Sequence, residues 1–179
     1  MKTKLVVLLL AALALSGCFG DPNQVGASTP YVNAELGFRV DYPSNWQSVI
    51  DPAFLVGEQP GKLRAVMFLR DQAAGALFTV FVQQLDGEPS LAAYAEEQMA
   101  AIRSAAGGAL YSDLTPTRLN GLDALETRTR REQDGQALAQ RVVLLVRGGR
   151  GYGVSLTAPE DSPLIATLDG MLDTFSLLP

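Results

Sequence analysis

The sequence predicts an α+β domain in which an antiparallel β-sheet is flanked by helices. Runs of alternating or β-branched apolar residues are separated by turn dipeptides, which is typical of hairpins. Two further segments, Leu91 to Ala106 and Leu164 to Thr174, have apolar residues at helical spacing. Because the helical segments follow runs of strands and do not alternate with single strands, the order indicates segregated elements and not βαβ repeats.

Composition supports one globular domain and excludes several classes of function. The chain has 179 residues, of which 47% are hydrophobic, a net charge of −5, one cysteine and no histidine. An acidic chain is not expected to bind nucleic acid through general electrostatics. The lack of histidine excludes Ser-His-Asp and Cys-His catalysis and histidine metal sites. We therefore expect a non-enzymatic protein without a metal ion or other cofactor.

The N-terminal segment has the layout of a secretory signal. Two lysines precede an apolar run from Leu5 to Leu15, which is shorter than the roughly 20 residues that a transmembrane helix needs. The small residues Ser16 and Gly17 then precede Cys18. This arrangement resembles the lipobox of bacterial lipoproteins, in which the cysteine sulfur receives a diacylglyceryl group and the preceding peptide is removed. The alternative is an ordinary cleaved signal followed by an incidental cysteine.

The lipobox resemblance implies a domain layout and a location. Residues 1–17 are interpreted as the signal peptide, 18–30 as a lipid-anchored flexible tether rich in Gly, Pro and small polar residues, and 31–179 as the globular domain. Acyl chains such as palmitate on Cys18 are expected to hold the protein on the extracytoplasmic face of a membrane, in the cell envelope. Phe19 stands where many two-membrane bacteria place a retention aspartate, which favours the outer membrane if the organism has one.

The first half of the domain has strand signals followed by a helix. The alternation of Phe38, Val40 and Tyr42 predicts a strand from Leu36 to Tyr42, and a Pro-Ser-Asn turn follows. Ser90 is placed as the N-cap of the first helix. Further strands are predicted at Ala53–Val56, Lys62–Leu69 and Ala76–Leu85, the last two joined by a hairpin loop at Asp71–Gly75.

The second half is predicted to be a strand meander and a final helix. Asn120-Gly121 and Asp134-Gly135 are typical type I′ hairpin turns, and Gly148–Gly151 predicts a third turn and not a phosphate-binding loop. The final helix is opened by Glu160–Pro163 and followed by a short strand or tail at Phe175–Leu177. The predicted strands are Thr115–Leu119, Leu122–Gln133, Gln136–Arg147 and Tyr152–Ala158.

The segment from Gly37 to Trp46 reads Gly-Phe-Arg-Val-Asp-Tyr-Pro-Ser-Asn-Trp. It resembles the opening strand and turn of PsbP-like proteins, whose fold is shared by the photosystem II extrinsic subunit and a yeast Ran-binding protein. The resemblance covers about Leu36 to Leu178 and implies an α/β/α sandwich in a largely non-enzymatic family used for binding or assembly. The calcium and chloride retention of photosynthetic members is not carried over, because no matching site residues are present.

An aromatic group is the first candidate for contact with a ligand or partner. Phe38, Tyr42 and Trp46 lie close together in the sequence and could form an aromatic pocket. The alternative is that they are core residues beneath a turn, since large aromatic side chains are mostly used for packing.

A group of arginines is the second candidate. A two-residue turn at Asp134-Gly135 places Arg128 opposite Arg141, with Arg130 on the same face. Such a group could bind a phosphate or a partner's carboxylate. The alternative is a solvated face on which Glu126 and Glu132 compensate the arginines.

Three functions are consistent with these features. The first is a non-catalytic, membrane-anchored binding or assembly module, attached through lipidated Cys18, whose partner is an unidentified envelope protein. The second is a small-ligand carrier, which requires an apolar cavity of a few hundred Å³ between sheet and helix. The third is a histidine-independent hydrolase, for which no particular carboxylate pair can be assigned. Asp113 and Asp123 lie at turns and lack the spacing of a calcium loop.

Overall fold

The structure is a computed structural model that describes residues 25–50, 63–69, 75–105, 111–133 and 135–179. The leader, Cys18, most of the expected tether, the strand expected at 53–56 and the loop expected at 71–74 lie outside these residues. The elements are β1 (Ser28–Asn33), β2 (Phe38–Pro43), β3 (Gln47–Ile50), β4 (Leu63–Leu69), β5 (Leu77–Gln84), α1 (Leu91–Ala105), β6 (Thr115–Leu119), β7 (Leu122–Gln133), β8 (Gln136–Arg147), β9 (Arg150–Pro159), α2 (Leu164–Thr174) and β10 (Ser176–Leu177).

The strands of the described segments form two antiparallel sheets. The larger sheet has the order β3-β4-β5-β9-β8-β7-β6, and the smaller has the order β1-β2-β10. Strands β6 to β9 pair in succession, as the turn dipeptides predict, whereas the pairing of β5 with β9 joins the two halves of the chain. The predicted α+β class is thereby confirmed.

The larger sheet has a buried layer on each face. Helix α2 and the smaller sheet cover one face, where the main core includes Phe38. Helix α1 packs against the other face, over β7 and β8. Strand β8 contributes to both layers by alternation, since Val143 and Leu145 belong to the first and Val142 and Leu144 to the second.

The segment from Gly37 to Trp46 is explained by a turn, a strand and a second turn. Gly37 has φ +75°, a left-handed conformation that glycine adopts without strain. Phe38 and Val40 are fully buried on one side of β2. The backbone N–H of Trp46 then donates to the Pro43 carbonyl at 2.9 Å, which closes the second turn. The Trp46 side chain lies in the core, with Trp46 only 4% exposed.

Two strands, β1 and β3, are absent from the sequence-based prediction. Strand β1 begins at Ser28, earlier than the domain start expected at Tyr31. The residue just before β1 contacts the turn after β2, because the Ser44 N–H donates to the Ala27 carbonyl at 2.8 Å. Pairing with β2 therefore gives order to a segment whose small polar residues and proline predict a tether.

The local turn and cap chemistry agrees with the sequence. Asn120 and Gly121 have φ of 49° and 82°, as a type I′ turn requires, and they join β6 to β7. The Ser90 Oγ accepts a hydrogen bond from the Ala93 N–H at 3.2 Å at the start of α1. No helix in the described ranges is long and apolar enough to cross a membrane.

Candidate functional site

A cleft between α2 and strands β7 to β9 brings together the arginines singled out in the sequence. Arg128 and Arg130 lie on β7, and Arg141 lies directly opposite Arg128 on β8. The register follows from the two-residue turn between these strands, in which Gly135 has φ +76°. The predicted pairing of Arg128 with Arg141 is confirmed, whereas a binding role for these residues stays a prediction.

We call this space the arginine cleft. Its volume of about 530 Å³ is within the range of small-molecule binding sites. Besides the three arginines, Asp169 contributes a charged side chain to its lining. The apolar lining residues come from β8, β9 and α2, and they are Ala139, Leu156, Ala158, Ile165 and Leu168.

Glu126 holds two of the arginines in place from beneath. Its Oε1 lies 2.7 Å from Arg128 Nε, and its Oε2 lies 2.7 Å from Arg141 Nη2. The Glu126 side chain is only 10% exposed. Burial raises the pKa of Glu126, but the hydrogen bonds and positive charges of the two arginines outweigh burial and bring this pKa below its ordinary value of 4.5.

Two further ion pairs connect the sheet to the segment that contains α2. Arg141 Nη1 lies 3.0 Å from Asp169 Oδ1, so one guanidinium joins β8 to α2. Arg130 Nε lies 2.8 Å from Glu160 Oε1, just before α2 begins. Glu126 is thus one of the compensating acids that the sequence predicts, whereas Asp169 and Glu160 take the place expected for Glu132.

The outer ends of two arginines remain available for a ligand. Arg128 and Arg130 use Nε in their ion pairs, and no described residue pairs with their η nitrogens. Their side chains are 68% and 85% exposed, respectively. Each guanidinium can therefore still donate in a fork to a carboxylate or phosphate.

The aromatic candidates lie elsewhere, mainly in the core. Phe38 stacks on Phe175 with ring centroids 5.8 Å apart, and half-buried Tyr42 lies 5.1 Å from Phe68. Trp46 is buried. Tyr42 also borders a depression of about 270 Å³ beside α2. A ligand contact for these residues stays a prediction, and their packing favours the alternative in which they form the core.

The opposite face of the sheet has a smaller and more apolar cavity of about 230 Å³. Tyr94 of α1 lies over Gly151, where an added Cβ would come within 2.3 Å of the ring. Burial, followed by the nearby charge of Glu97, raises the pKa of Tyr94. The phenol therefore stays protonated at neutral pH, and this cavity is lined without an ionised group.

A hydrogen-bonded chain borders this second cavity. The Tyr111 hydroxyl donates to Gln140 Oε1 at 2.9 Å, and Gln140 Nε2 donates to Ser155 Oγ at 2.9 Å. The chain satisfies polar groups that would otherwise be costly to bury. Over the described part of the chain, no group of three or more acidic or cysteine side chains could hold a metal ion.

Asp169 and Glu160 are the site residues that sequence reasoning missed as partners. Asp169 follows Leu168 and lies four residues after Ile165, at the polar margin of the apolar stripe of α2. A charge at that margin indicates a residue at the edge of the buried face. Nothing in the sequence shows which strand it meets, because the contact with Arg141 depends on how α2 crosses the sheet.

Solved structures of three proteins have a similar fold. Cyanobacterial PsbP (CyanoP) from Synechocystis is 15% identical, with a TM-score of 0.61 over 90% of this chain and 99% of that one. LpqN of Mycobacterium tuberculosis, involved in cell envelope biogenesis, is 15% identical, with a TM-score of 0.56 over 86% and 91%. The Saccharomyces cerevisiae Ran-binding protein Mog1p is 10% identical, with a TM-score of 0.51 over 86% and 96%.

The chain therefore has the PsbP-like fold that the Gly37–Trp46 segment predicts. A Bacteroides thetaiotaomicron protein is also similar, with 14% identity and a TM-score of 0.57, and the chain spans half of its length. No family model and no curated protein matches the sequence. At these identities the comparisons establish the fold.

Proposed function

We propose that the protein is a non-catalytic binding or assembly module of the cell envelope, anchored through lipidated Cys18. The observation that carries the proposal is the arginine cleft, where the Nε of each exposed arginine lies beside a carboxylate and the side chains of Arg128 and Arg130 are 68% and 85% exposed. Such an arrangement suits recognition of an acidic group on a partner or ligand.

The charge state of the cleft supports binding and not catalysis. A general acid near neutral pH needs a raised pKa, whereas the arginines lower the pKa of Glu126. Asp169 is engaged by Arg141 at 3.0 Å. Both carboxylates that contact Arg141 therefore serve to position its guanidinium, and Glu126 lacks the raised pKa of a general acid.

The proteins of similar fold support the same class of function. Mog1p is a Ran-binding protein, and LpqN is involved in cell envelope biogenesis. A binding role for this chain is consistent with Mog1p, and an envelope location is consistent with LpqN. The lipobox resemblance at Leu15–Cys18 supports attachment to a membrane.

Mass spectrometry of the mature N-terminus tests the anchor. We expect a chain that begins at Cys18 and carries acyl groups, recovered in the membrane fraction. A mature chain whose cysteine carries no lipid would refute the anchored location and leave the binding role to be tested separately.

Comparative co-purification tests the binding role. Proteins captured from solubilised membranes by the wild type are compared with those captured by Arg128→Ala/Arg130→Ala. Arg118→Ala is the matched control, because Arg118 also pairs with a carboxylate on the sheet but is not part of the arginine cleft. A specific partner should be lost with the double variant and kept with the control. Equal capture by all three chains would contradict a role for the cleft.

The small-ligand carrier is the second candidate, and the volume of the arginine cleft favours it. The cleft has the few hundred Å³ that such a function requires, with an apolar floor. Its lining does not include Phe38, Tyr42 or Trp46, so a carrier would use arginines where the sequence suggested aromatic residues.

A further inference from the structure

The arginine cleft combines two surfaces that suit different parts of one ligand. Its floor is formed by Leu156 and Ala158 of β9, and one wall is formed by Ile165 and Leu168 of α2. The η nitrogens of the exposed arginines lie at the rim. A single small molecule can place an apolar body on the floor and an acidic group at the rim.

The charges of the cleft are balanced before any ligand binds. Glu126, Glu160 and Asp169 match the three arginines. A bare inorganic anion therefore finds no excess of positive potential in the cleft. Because directed hydrogen bonds alone give modest affinity, a ligand needs the additional contribution of apolar contact.

The carboxylates also prepare the arginines for a ligand. The Arg128 Nε donates a hydrogen bond to Glu126 Oε1 at 2.7 Å, which restricts this long side chain before binding, and Arg130 Nε lies 2.8 Å from the carboxylate of Glu160. Less rotamer freedom is then lost when the η nitrogens engage an acidic group.

We propose that the arginine cleft binds an amphiphilic anion, a carboxylate or phosphate monoester joined to a compact apolar body. The acidic group contacts the η nitrogens of Arg128 and Arg130, and the apolar body lies on Leu156, Ala158 and Ile165. This inference specifies the ligand class and rests on the proposed binding function. The source of such a group is either a free small molecule or the head group of a membrane lipid.

Calorimetric titration with three probes measures the contributions of the apolar floor and of the arginines separately. The probes are 4-phenylbutanoate, which has both parts, 4-phenylbutanamide, which lacks the charge, and acetate, which lacks the apolar body. The full-length protein is used, in phosphatidylcholine nanodiscs if it is acylated or in solution if it is not. We expect 4-phenylbutanoate to bind about tenfold or more tightly than either of the other probes.

Two variants test the location of the site. Arg128→Ala/Arg130→Ala should weaken 4-phenylbutanoate by about tenfold or more while leaving the amide unchanged. Ala139→Leu fills the cleft without altering its charges, and it should weaken both probes. Arg118→Ala should change neither, and thermal unfolding verifies that each variant is folded. Equal affinity of the acid and the amide, or equal affinity of all folded variants, would overturn the proposal.

Competition with lipid nanodiscs identifies the source of the acidic group. Nanodiscs that contain phosphatidic acid, whose head group is a phosphate monoester, should compete with 4-phenylbutanoate if the ligand is a lipid head group, and should leave its affinity unchanged if the ligand is a free molecule. Either result supports an amphiphilic anion at this site. The titration does not depend on acylation of Cys18, so failure of the anchor and failure of the ligand site are distinguished.

Discussion

The two faces of the seven-stranded sheet are covered in different ways. On the α1 side, Tyr94 packs directly on the backbone of Gly151, and the contact is apolar and close. On the α2 side, the ion pair between Arg141 and Asp169 bridges the sheet and the helix, and both residues line the arginine cleft between them. The Tyr94 ring can lie this close because Gly151 has no side chain, whereas the arginine cleft is lined by charged side chains that pair with carboxylates.

We expect the largest effect from a substitution that disrupts the close contact between Tyr94 and Gly151 on the α1 side. Gly151→Ala places a Cβ 2.3 Å from the Tyr94 ring, so the helix or the ring must move. We expect a loss of about 3 kcal/mol in the free energy of unfolding, measured by urea denaturation.

The same substitution at Gly170 of α2 is the control, because an added Cβ there meets no atom within 4 Å. Gly170→Ala should stabilise the helix by about 0.5–1 kcal/mol. Equal effects of the two substitutions would show that the contact between Gly151 and Tyr94 does not restrict an added methyl group.

The second effect removes the acid beneath the arginine cleft. Glu126→Gln leaves Arg128 and Arg141 without their shared carboxylate, although Arg141 keeps Asp169. We expect a loss of about 1–2 kcal/mol at pH 7, because the arginines are partly exposed and water compensates them.

The pH dependence of this loss follows from the lowered pKa of Glu126. The carboxylate stabilises the fold above its unfolded-state pKa, and this contribution is lost as the pH falls below about 4.5 through the folded-state value. The difference between wild type and Glu126→Gln should therefore narrow in acid. Glu132→Gln, on the same strand, should have no comparable effect, and a difference that widens in acid would be contrary to the ion-pair geometry.

The third effect concerns the hydrogen-bonded chain of uncharged side chains on the α1 side of the sheet. Tyr111→Phe removes the hydrogen bond to Gln140, and a loss of about 1 kcal/mol is expected. Ser155→Ala removes the other end of the chain. The double variant should lose less stability than the sum of the two single losses, since Tyr111 and Ser155 both bond Gln140. Strict additivity would indicate that the chain does not act as a unit.

The smallest effects belong to the exposed arginines. Arg130→Ala and Arg118→Ala each remove a surface ion pair, and we expect each to change the free energy of unfolding by about 0.5 kcal/mol or less. The two variants should differ in ligand binding and not in stability. A large loss of stability in Arg130→Ala alone would mean that Arg130 has a structural role.

Local chemistry made much of the fold predictable. The turn at Asn120-Gly121 and the pairing of Arg128 with Arg141 depend on a few neighbouring residues, so the sequence contains what is needed. The same holds for Ser90, whose hydroxyl caps the helix that immediately follows it.

The remainder depends on contacts between distant segments. Strand β3 is short, and β1 contains Pro30 and small polar residues, so neither has a strong local signal. Both are strands because an adjacent strand pairs with them. The ion pair between Arg141 and Asp169 likewise depends on the path of α2, which no local pattern determines.

The pairing of β5 with β9 also bears on the speed of folding. Strands β6 to β9 and strands β3 to β5 can each form by joining neighbours, and among the described residues the two groups pair through residues 77–84 and 150–157. That pairing closes a loop that contains α1 and three strands, and the entropy of closure is lost before the core of the sheet is complete. We expect this long-range step, together with the pairing of β2 with β10, to slow the rate at which the chain reaches its native state.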